Sequence, residues 1–375
     1  MHEDLLSPLR DAGVRPPRVD LRQAIRVGRR RRRMRHAAVA GLTAAAVLAT
    51  TVAVSAVTGR PQSMPAERTP VPLPTSTVAP PLGECSMSKD TAPYVSRHPW
   101  VELDRSWRVA VHLDAPGTQP VEAVRYTDGR VERIKGVPSD FRLTNVNRAG
   151  DFAGVNGAND RAWVYRDRRF TRLVLPDGAT DVSLTDINDA GDLLGTVATK
   201  QPSRFKVVVW PGGRPGRPRV LDTPDGASSR ASGIAWDGTV VGDVIRGDVI
   251  TPFLWHPDGT GEPLPLPAGH HGEKVAVGDL TGDWAVGTGV RWNIRTGRAD
   301  AVKGIDGAGV VDMYGRIFGL SDTADQHGVV WINGILVPVA QSFDGHKVYF
   351  KGVRDDGRQM YGFSAFDSTW VRWTC

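Results

Sequence analysis

The chain has few cysteines, few lysines and only one long hydrophobic run. Cys85 and Cys375 are its only cysteines in 375 residues. Two thiols exclude a multi-bridge disulfide scaffold and a cysteine-built zinc fold. Lysine is scarce, at 8 residues against 39 arginines, a bias expected of a GC-rich bacterial genome rather than a sign of function. Long helical periodicity is absent from most of the chain. No Gly-x-Ser-x-Gly elbow, Walker loop or zinc-protease motif occurs, so hydrolase, nucleotide-binding and metalloprotease chemistry have no sequence motif behind them. The pair His270 and His271 has no cysteine nearby and no third ligand at a metal spacing. No cofactor or metal site, and no catalytic residue, is assigned.

What is abundant is glycine and proline, 42 and 27 residues, with 11 tryptophans. That composition suits many short strands joined by turns. The net charge of +6 is unevenly placed. Residues 1–36 hold 11 arginines and four acidic groups, giving +7, so the other 339 residues sum to −1. A basic field therefore does not cover the large domain, which argues against nucleic acid as its ligand.

Residues 1–36 form a polar tail ending in an arginine cluster at 29–35. Residues 37–57 follow without a charge, mostly Ala, Val and Leu. At about 1.5 Å per residue, such a run spans roughly 30 Å of hydrocarbon as a helix. Arginines on its N-terminal side predict a single-pass signal anchor in a bacterial cell membrane, with the N-terminus cytoplasmic and the C-terminal part outside. Cleavage near Val54, Ser55 and Ala56, with secretion, is the alternative. Leu21, Ala24, Ile25 and Gly28 share a face of a short helix that rests on lipid or docks a cytoplasmic partner. Residues 58–84 carry seven prolines among Ser and Thr, the composition of an extended spacer.

From residue 85 onward one pattern repeats. Its clearest copy is Ile-Asn-Asp-Ala-Gly-Asp-Leu-Leu-Gly over residues 187–195, with relatives at 146–154 and 234–242 and looser ones at 280–287, 311–319 and 353–362. The turn glycines are Gly150, Gly191, Gly238, Gly282, Gly315 and Gly357, at intervals of 41, 47, 44, 33 and 42 residues. Such periods mark stacked supersecondary units. Glycine takes the positive φ of a tight turn, and an Asn or Asp before it bonds the turn backbone. The apolar pair after the turn begins a strand, and the closing glycine permits a bulge or a close backbone approach. After each copy comes a strand ending in an aromatic residue, as at Trp210, Trp255, Trp292, Trp331 and Trp373, and then usually one more strand.

About seven units of four short strands result. Sheets this small bury their faces only by stacking, with tryptophans filling the gaps. Arranged about an axis they make an all-β propeller, with seven blades favoured over six. The motif at 187–195 followed by Val-Val-Trp resembles the HAF-type extracellular repeats of bacterial surface proteins, over about 230 residues from Val146 onward. That resemblance implies a propeller-like architecture and an extracellular setting. It implies no chemistry, because such repeats carry no agreed activity.

Ring closure follows from the propeller reading. The last unit lacks a fourth strand, and residues 100–103 are the candidate lent by the N-terminal end. Closure of this kind brings Cys85 beside Cys375, predicting a disulfide that locks the ring in an oxidising compartment. The function expected is a membrane-anchored extracytoplasmic binding or sensing module for a protein, glycan or small-molecule ligand. A propeller hydrolase of envelope glycan or lactone is one alternative. A transmembrane regulator whose tail binds a sigma factor is another, though the tail has no His/Cys zinc constellation. Residues 200–205, 211–218, 246–251 and 267–274 interrupt the units and are the expected contact loops.

Overall fold

A computed structural model describes residues 79, 81–82, 85–89, 101–104, 106, 109–114, 122–128, 130–200, 203–212, 214–270, 275–323, 328–340, 348–354, 356–364 and 370–375. The arginine-rich tail, the apolar run at 37–57 and nearly all of the spacer lie outside these residues. Every regular element described is a strand.

The 28 strands form seven four-stranded antiparallel sheets. Each sheet is read outward from its innermost strand. The first strand in the chain, β1 (Ser86–Lys89), belongs to the last blade. Blade one is β2 (Val101–Leu103), β3 (Val109–Asp114), β4 (Glu122–Thr127) and β5 (Arg130–Ile134). Blade two is β6 (Phe141–Val146), β7 (Phe152–Asn156), β8 (Ala162–Arg166) and β9 (Arg169–Arg172). Blade three is β10 (Ala179–Ile187), β11 (Leu193–Lys200), β12 (Ser203–Trp210) and β13 (Arg219–Val220). Blade four is β14 (Ser228–Ile234), β15 (Val240–Arg246), β16 (Val249–Trp255) and β17 (Gly261–Pro263). Blade five is β18 (Val277–Thr281), β19 (Trp284–Gly287), β20 (Val290–Asn293) and β21 (Arg298–Ala301). Blade six is β22 (Ile305–Val311), β23 (Ile317–Ser321), β24 (Gly328–Ile332) and β25 (Ile335–Ala340). Blade seven is β26 (Val348–Val353), β27 (Gln359–Ser364), β28 (Trp370–Thr374) and, outermost, β1. The ring is a seven-bladed β-propeller.

The closing strand differs from expectation. Ser86 pairs with Thr374 and Lys89 with Val371, so β1 completes blade seven. Val101–Leu103, expected in that place, is the innermost strand of blade one. The physical reason is proximity: Cys85 directly precedes β1, and Cys375 directly follows β28. The Cys85–Cys375 disulfide joins the two ends of this strand pair. Cys375 also donates its N–H to Arg358 O at 2.8 Å, so the bridge sits at the end of the blade that carries the repeat turn.

The core lies between neighbouring blades, because alternate residues of each strand face opposite sheets. Leu193, Val197 and Val208 of blade three pack with Trp210 against Ala153, Val155 and Val164 of blade two. The intervening Leu194, Val207 and Val209 face Ile234, Val240 and Trp255 of blade four. The tryptophans also tie the connections between blades. Trp210, Trp255 and Trp292 are fully buried and donate Nε1–H to the carbonyls of Val174, Asp222 and Pro265 at 2.6–2.7 Å. Each carbonyl lies in the segment arriving from the preceding blade. The indole thus fills an apolar gap and satisfies a backbone group on its rim.

Candidate functional site: an axial cavity built by the repeat

The repeat motif shapes the centre of the ring through its closing glycine. Gly154, Gly195, Gly242 and Gly287 pair with Leu143, Leu184, Ala231 and Val277 on the innermost strands. In each case the register slips directly after that partner, which is a β-bulge. A Cβ on Gly195 would stand 2.5 Å from Ser183 O, and one on Gly287 would stand 2.6 Å from Ala276 O. Glycine is what lets the innermost strand come this close.

The bulge turns the following side chain toward the next blade. Asn145 Nδ2 donates to Thr185 O at 2.8 Å. Asp186 Oδ2 accepts Ile234 N–H at 3.0 Å, while its Oδ1 accepts Ile187 N–H at 2.8 Å. Asp279 Oδ2 accepts Val311 N–H at 3.0 Å. Blade four has Gly233 at this position, and the buried Asp243 does the same work from β15, accepting Val277 N–H at 2.9 Å. Two turn asparagines, Asn147 and Asn188, add contacts between neighbouring blades. Asn188 Oδ1 accepts Asp192 N–H within its own turn, and Nδ2 donates to Ala235 O of the next. These oxygens serve backbone N–H groups, and that accounts for the Asn/Asp-rich turns.

Arginines add a third layer. Arg125, Arg166 and Arg291 of blades one, two and five each reach the turn-glycine carbonyl of the next blade, at Gly150, Gly191 and Gly315, over 2.6–2.7 Å. Arg291 is sandwiched between Trp284 and Trp331, with its guanidinium carbon 4.3 and 4.5 Å from the two ring centres. Burial lowers its pKa, and the Asp300 carboxylate opposes that shift.

Where the innermost strands run into their turns, a cavity of about 400 Å³ opens on the axis. Glu102, Asp104, Asn145, Asp186 and Asp279 line it, with Ser232, Thr185, Met313, Tyr361 and Trp236. Its basic lining residue, Arg148, is 3.6 Å from Asp189 Oδ2, and the Arg148 N–H donates to Asp189 Oδ1. Asp104 is buried and accepts the N–H groups of Ser106 and Val109. Trp236 stands at the first turn position of blade four and keeps 44% of its surface exposed. Arg295 lies over its ring at 5.6 Å and bridges Asp237 and Asp283 at 2.7 and 2.8 Å. Burial pushes the Asp237 carboxyl up, but bonds from Thr239 and Arg295 outweigh it and hold the group below the usual carboxylate range. Among the described residues, no three carboxylate, imidazole or thiol groups come together as a metal-holding set.

Two of the four interrupting segments are built differently from the loops expected. Residues 200–205 and 246–251 are mostly strand, closing the β11–β12 and β15–β16 hairpins. They stand at the end of the blades opposite the cavity. Among the described residues, none from the four interrupting segments lines the cavity, whose described lining comes from the innermost strands and the repeat turns. The residues that sequence reasoning passed over, Asp186 and Asp279, directly precede the first apolar residue of a motif copy. Trp236 was visible as an aromatic at a turn position where glycine-rich polar residues are the rule.

Solved structures similar to the chain match it at low identity. The propeller of the Trilobed protease from Pyrococcus furiosus matches 77% of this chain and 98% of its own, with 13% identity and a TM-score of 0.45. YCF48 from Cyanidioschyzon merolae matches 77% and 98%, with 14% identity and a TM-score of 0.47. Virginiamycin B lyase from Staphylococcus aureus matches 78% and 99%, with 9% identity and a TM-score of 0.45. No protein-family model and no curated protein matches the chain, so the likeness to HAF-type repeats rests on the motif residues alone.

Proposed function

We propose that the protein is a binding or sensing module, held outside a bacterial membrane by residues 37–57, whose ligand occupies the axial cavity. The observation that carries this reading is the lining of the cavity. Side chains fixed by bonds between blades surround a space of about 400 Å³, within the size range of small-molecule sites, roughly 300–1,000 Å³. A rigid wall of this kind lowers the ordering cost of binding. The uncharged run after an arginine cluster supports the anchor.

A hydrolase of envelope glycan or lactone is the second reading, favoured by Glu102, Asp186 and Asp279 in one cavity. Asp186 and Asp279 already hold main-chain N–H groups of the next blade, which suits a fixed wall better than a proton carrier. A thermal-shift screen of the full chain against small molecules tests the binding reading. A hit that stabilises the wild type and fails with Thr185→Trp, which fills the cavity, supports it. A hit unaffected by that change places binding elsewhere.

A further inference from the structure

We infer that the end of the ring opposite the axial cavity rests on a lipid bilayer, with Phe205 and Val249 of blades three and four entering its headgroup layer. The inference rests on the chain being membrane-anchored and adds which face of the propeller meets the bilayer. Two long hairpins form this end. Strands β12 and β16 run for 8 and 7 residues, against 5 in β8 and 4 in β20. All four carry their aromatic residue, Trp210, Trp255, Tyr165 or Trp292, toward the cavity end. The added length of blades three and four therefore emerges at the other end, by roughly 7 Å at about 3.4 Å per residue.

The two tips converge on one seam. On β12, Val207 and Val209 pack into the core between blades three and four, and Phe205 continues their face. On β16, Phe253 and Trp255 enter the same core from the other side, and Val249 continues theirs. The seam thus runs on past its cover, leaving Phe205 and Val249 54% and 52% exposed. Lys200 on β11 and Arg246 on β15 share the faces of Leu194 and Val244 and flank the pair. Phe205 N–H donates to Ser228 Oγ at 3.3 Å and Arg246 to Asp225 O at 2.9 Å, which ties both to the connection between the two blades. Apolar tips beside long cationic side chains are the chemistry of an interfacial anchor: the first enter the acyl boundary and the second reach the phosphates. Asp225 and Asp248 stand at this end too, so the apolar pair carries more of the contact than charge does.

The size of the patch decides what covers it. Two side chains fall far short of the roughly 1,000 Å² that a specific protein interface needs, which disfavours a second copy or a free protein. A bilayer tethered to the same chain needs no such area, because the tether supplies the effective concentration. Residues 58–84 reach at most ~95 Å even fully extended. With this end down, the cavity opens away from the bilayer.

The test reconstitutes the full-length protein in vesicles of phosphatidylcholine and phosphatidylglycerol. Photoreactive benzoylphenylalanine replaces Phe205, Val249 or, as the control, Ile335, which is 67% exposed on the outermost strand of blade six. All three positions are exposed, and a circular dichroism melt of each variant checks that the fold is kept. Lipid adducts at 205 and 249 are expected to exceed those at 335 by roughly fivefold or more. Adducts at 205 and 249 no more frequent than at 335, or adducts joining two protein chains in their place, overturn the docking. A carbonate wash separates this from the anchor. A chain that stays with the vesicles without excess adducts at 205 and 249 overturns the docking alone. A chain stripped off by the wash overturns the anchor and the docking that rests on it.

Discussion

Asn147 Nδ2 donates to the main-chain carbonyl of Asn188, 41 residues further along and one blade away, at 3.0 Å. Asn147 Oδ1 accepts Asp151 N–H within its own turn, also at 3.0 Å. One side chain therefore closes a turn with its oxygen and fastens the next blade with its nitrogen. Asparagine does both; aspartate has no donor for the second bond. Asn188 repeats the arrangement toward Ala235, and there the ladder stops because Ala235 has neither group. Replacing Asn188 by Ala is expected to cost about 1–3 kcal/mol through buried partners left unsatisfied. Asn188→Asp should cost more, since a carboxylate would face the Ala235 carbonyl. Urea unfolding of the three proteins checks the order; an Asp variant as stable as wild type contradicts the ladder.

Two glycines separate backbone strain from crowding. Gly191 has φ +84°, and a Cβ there would meet the Arg166 guanidinium that bonds Gly191 O. Gly226 has φ +77° with open space around it. Gly226→Ala is expected to lose about 1 kcal/mol from strain alone. Gly191→Ala should lose clearly more, because the inter-blade arginine must also move. Equal losses on thermal unfolding would show that the arginine contact adds nothing.

Two sets of aspartates should give stability opposite dependences on pH. Burial raises the pKa of Asp243, against the Val277 N–H bond and Arg230, and raises that of Asp312 against Arg316. In each case the unfolded chain ionises first as pH rises past about 3.8, so these groups lower stability as pH climbs from there to their folded values. Asp300 is the reverse. Burial raises it, but bonds from Arg291 and Arg298 dominate and hold it low. Its stabilisation is present above the unfolded value and is lost as pH falls toward the folded one. Asp300→Asn should therefore weaken the protein at pH 7 and matter little at pH 3, while Asp243→Asn should flatten the loss of stability above pH 4. Denaturation midpoints across pH 3–8 read both.

Much of the ring was legible in the sequence, and the reason is local. The turn glycines need positive φ, and the buried tryptophans end their strands, so both survive as fixed letters at a period. The innermost strands were hard to delimit because a bulge breaks their alternation of apolar and polar residues, as between Leu184 and Asp186. The same bulge places Asp186 in the cavity, so the feature that blurred the strand is the one that makes the site. The β1 strand reads Ser-Met-Ser-Lys and carries no apolar signal; the more apolar residues 100–103 drew the assignment instead. Gly247 and Asp248 between β15 and β16 are a two-residue hairpin signal that the charge of the segment disguised as a loop.

Covalent closure should matter for stability. The disulfide closes a separation of 290 residues, and the chain-entropy relation gives on the order of 5 kcal/mol for a loop of that length. The double variant Cys85→Ser, Cys375→Ser is expected to unfold at lower denaturant, by several kcal/mol at most. Blade seven should open first, read as faster hydrogen exchange in Trp370–Thr374 than in Leu193–Lys200. Uniform loss of protection across all blades would argue against closure at that sheet.

The axial cavity exists only if blade seven meets blade one, in a ring whose last sheet is completed by the chain's own early strand. The most direct test is a peptide map of the full-length protein, alkylated and digested without reduction. The expected result is one linked species joining the peptide that contains Cys85 to the C-terminal peptide that contains Cys375, split by reductant into its two halves. Two separately alkylated cysteines, or linkage only between molecules, would contradict it.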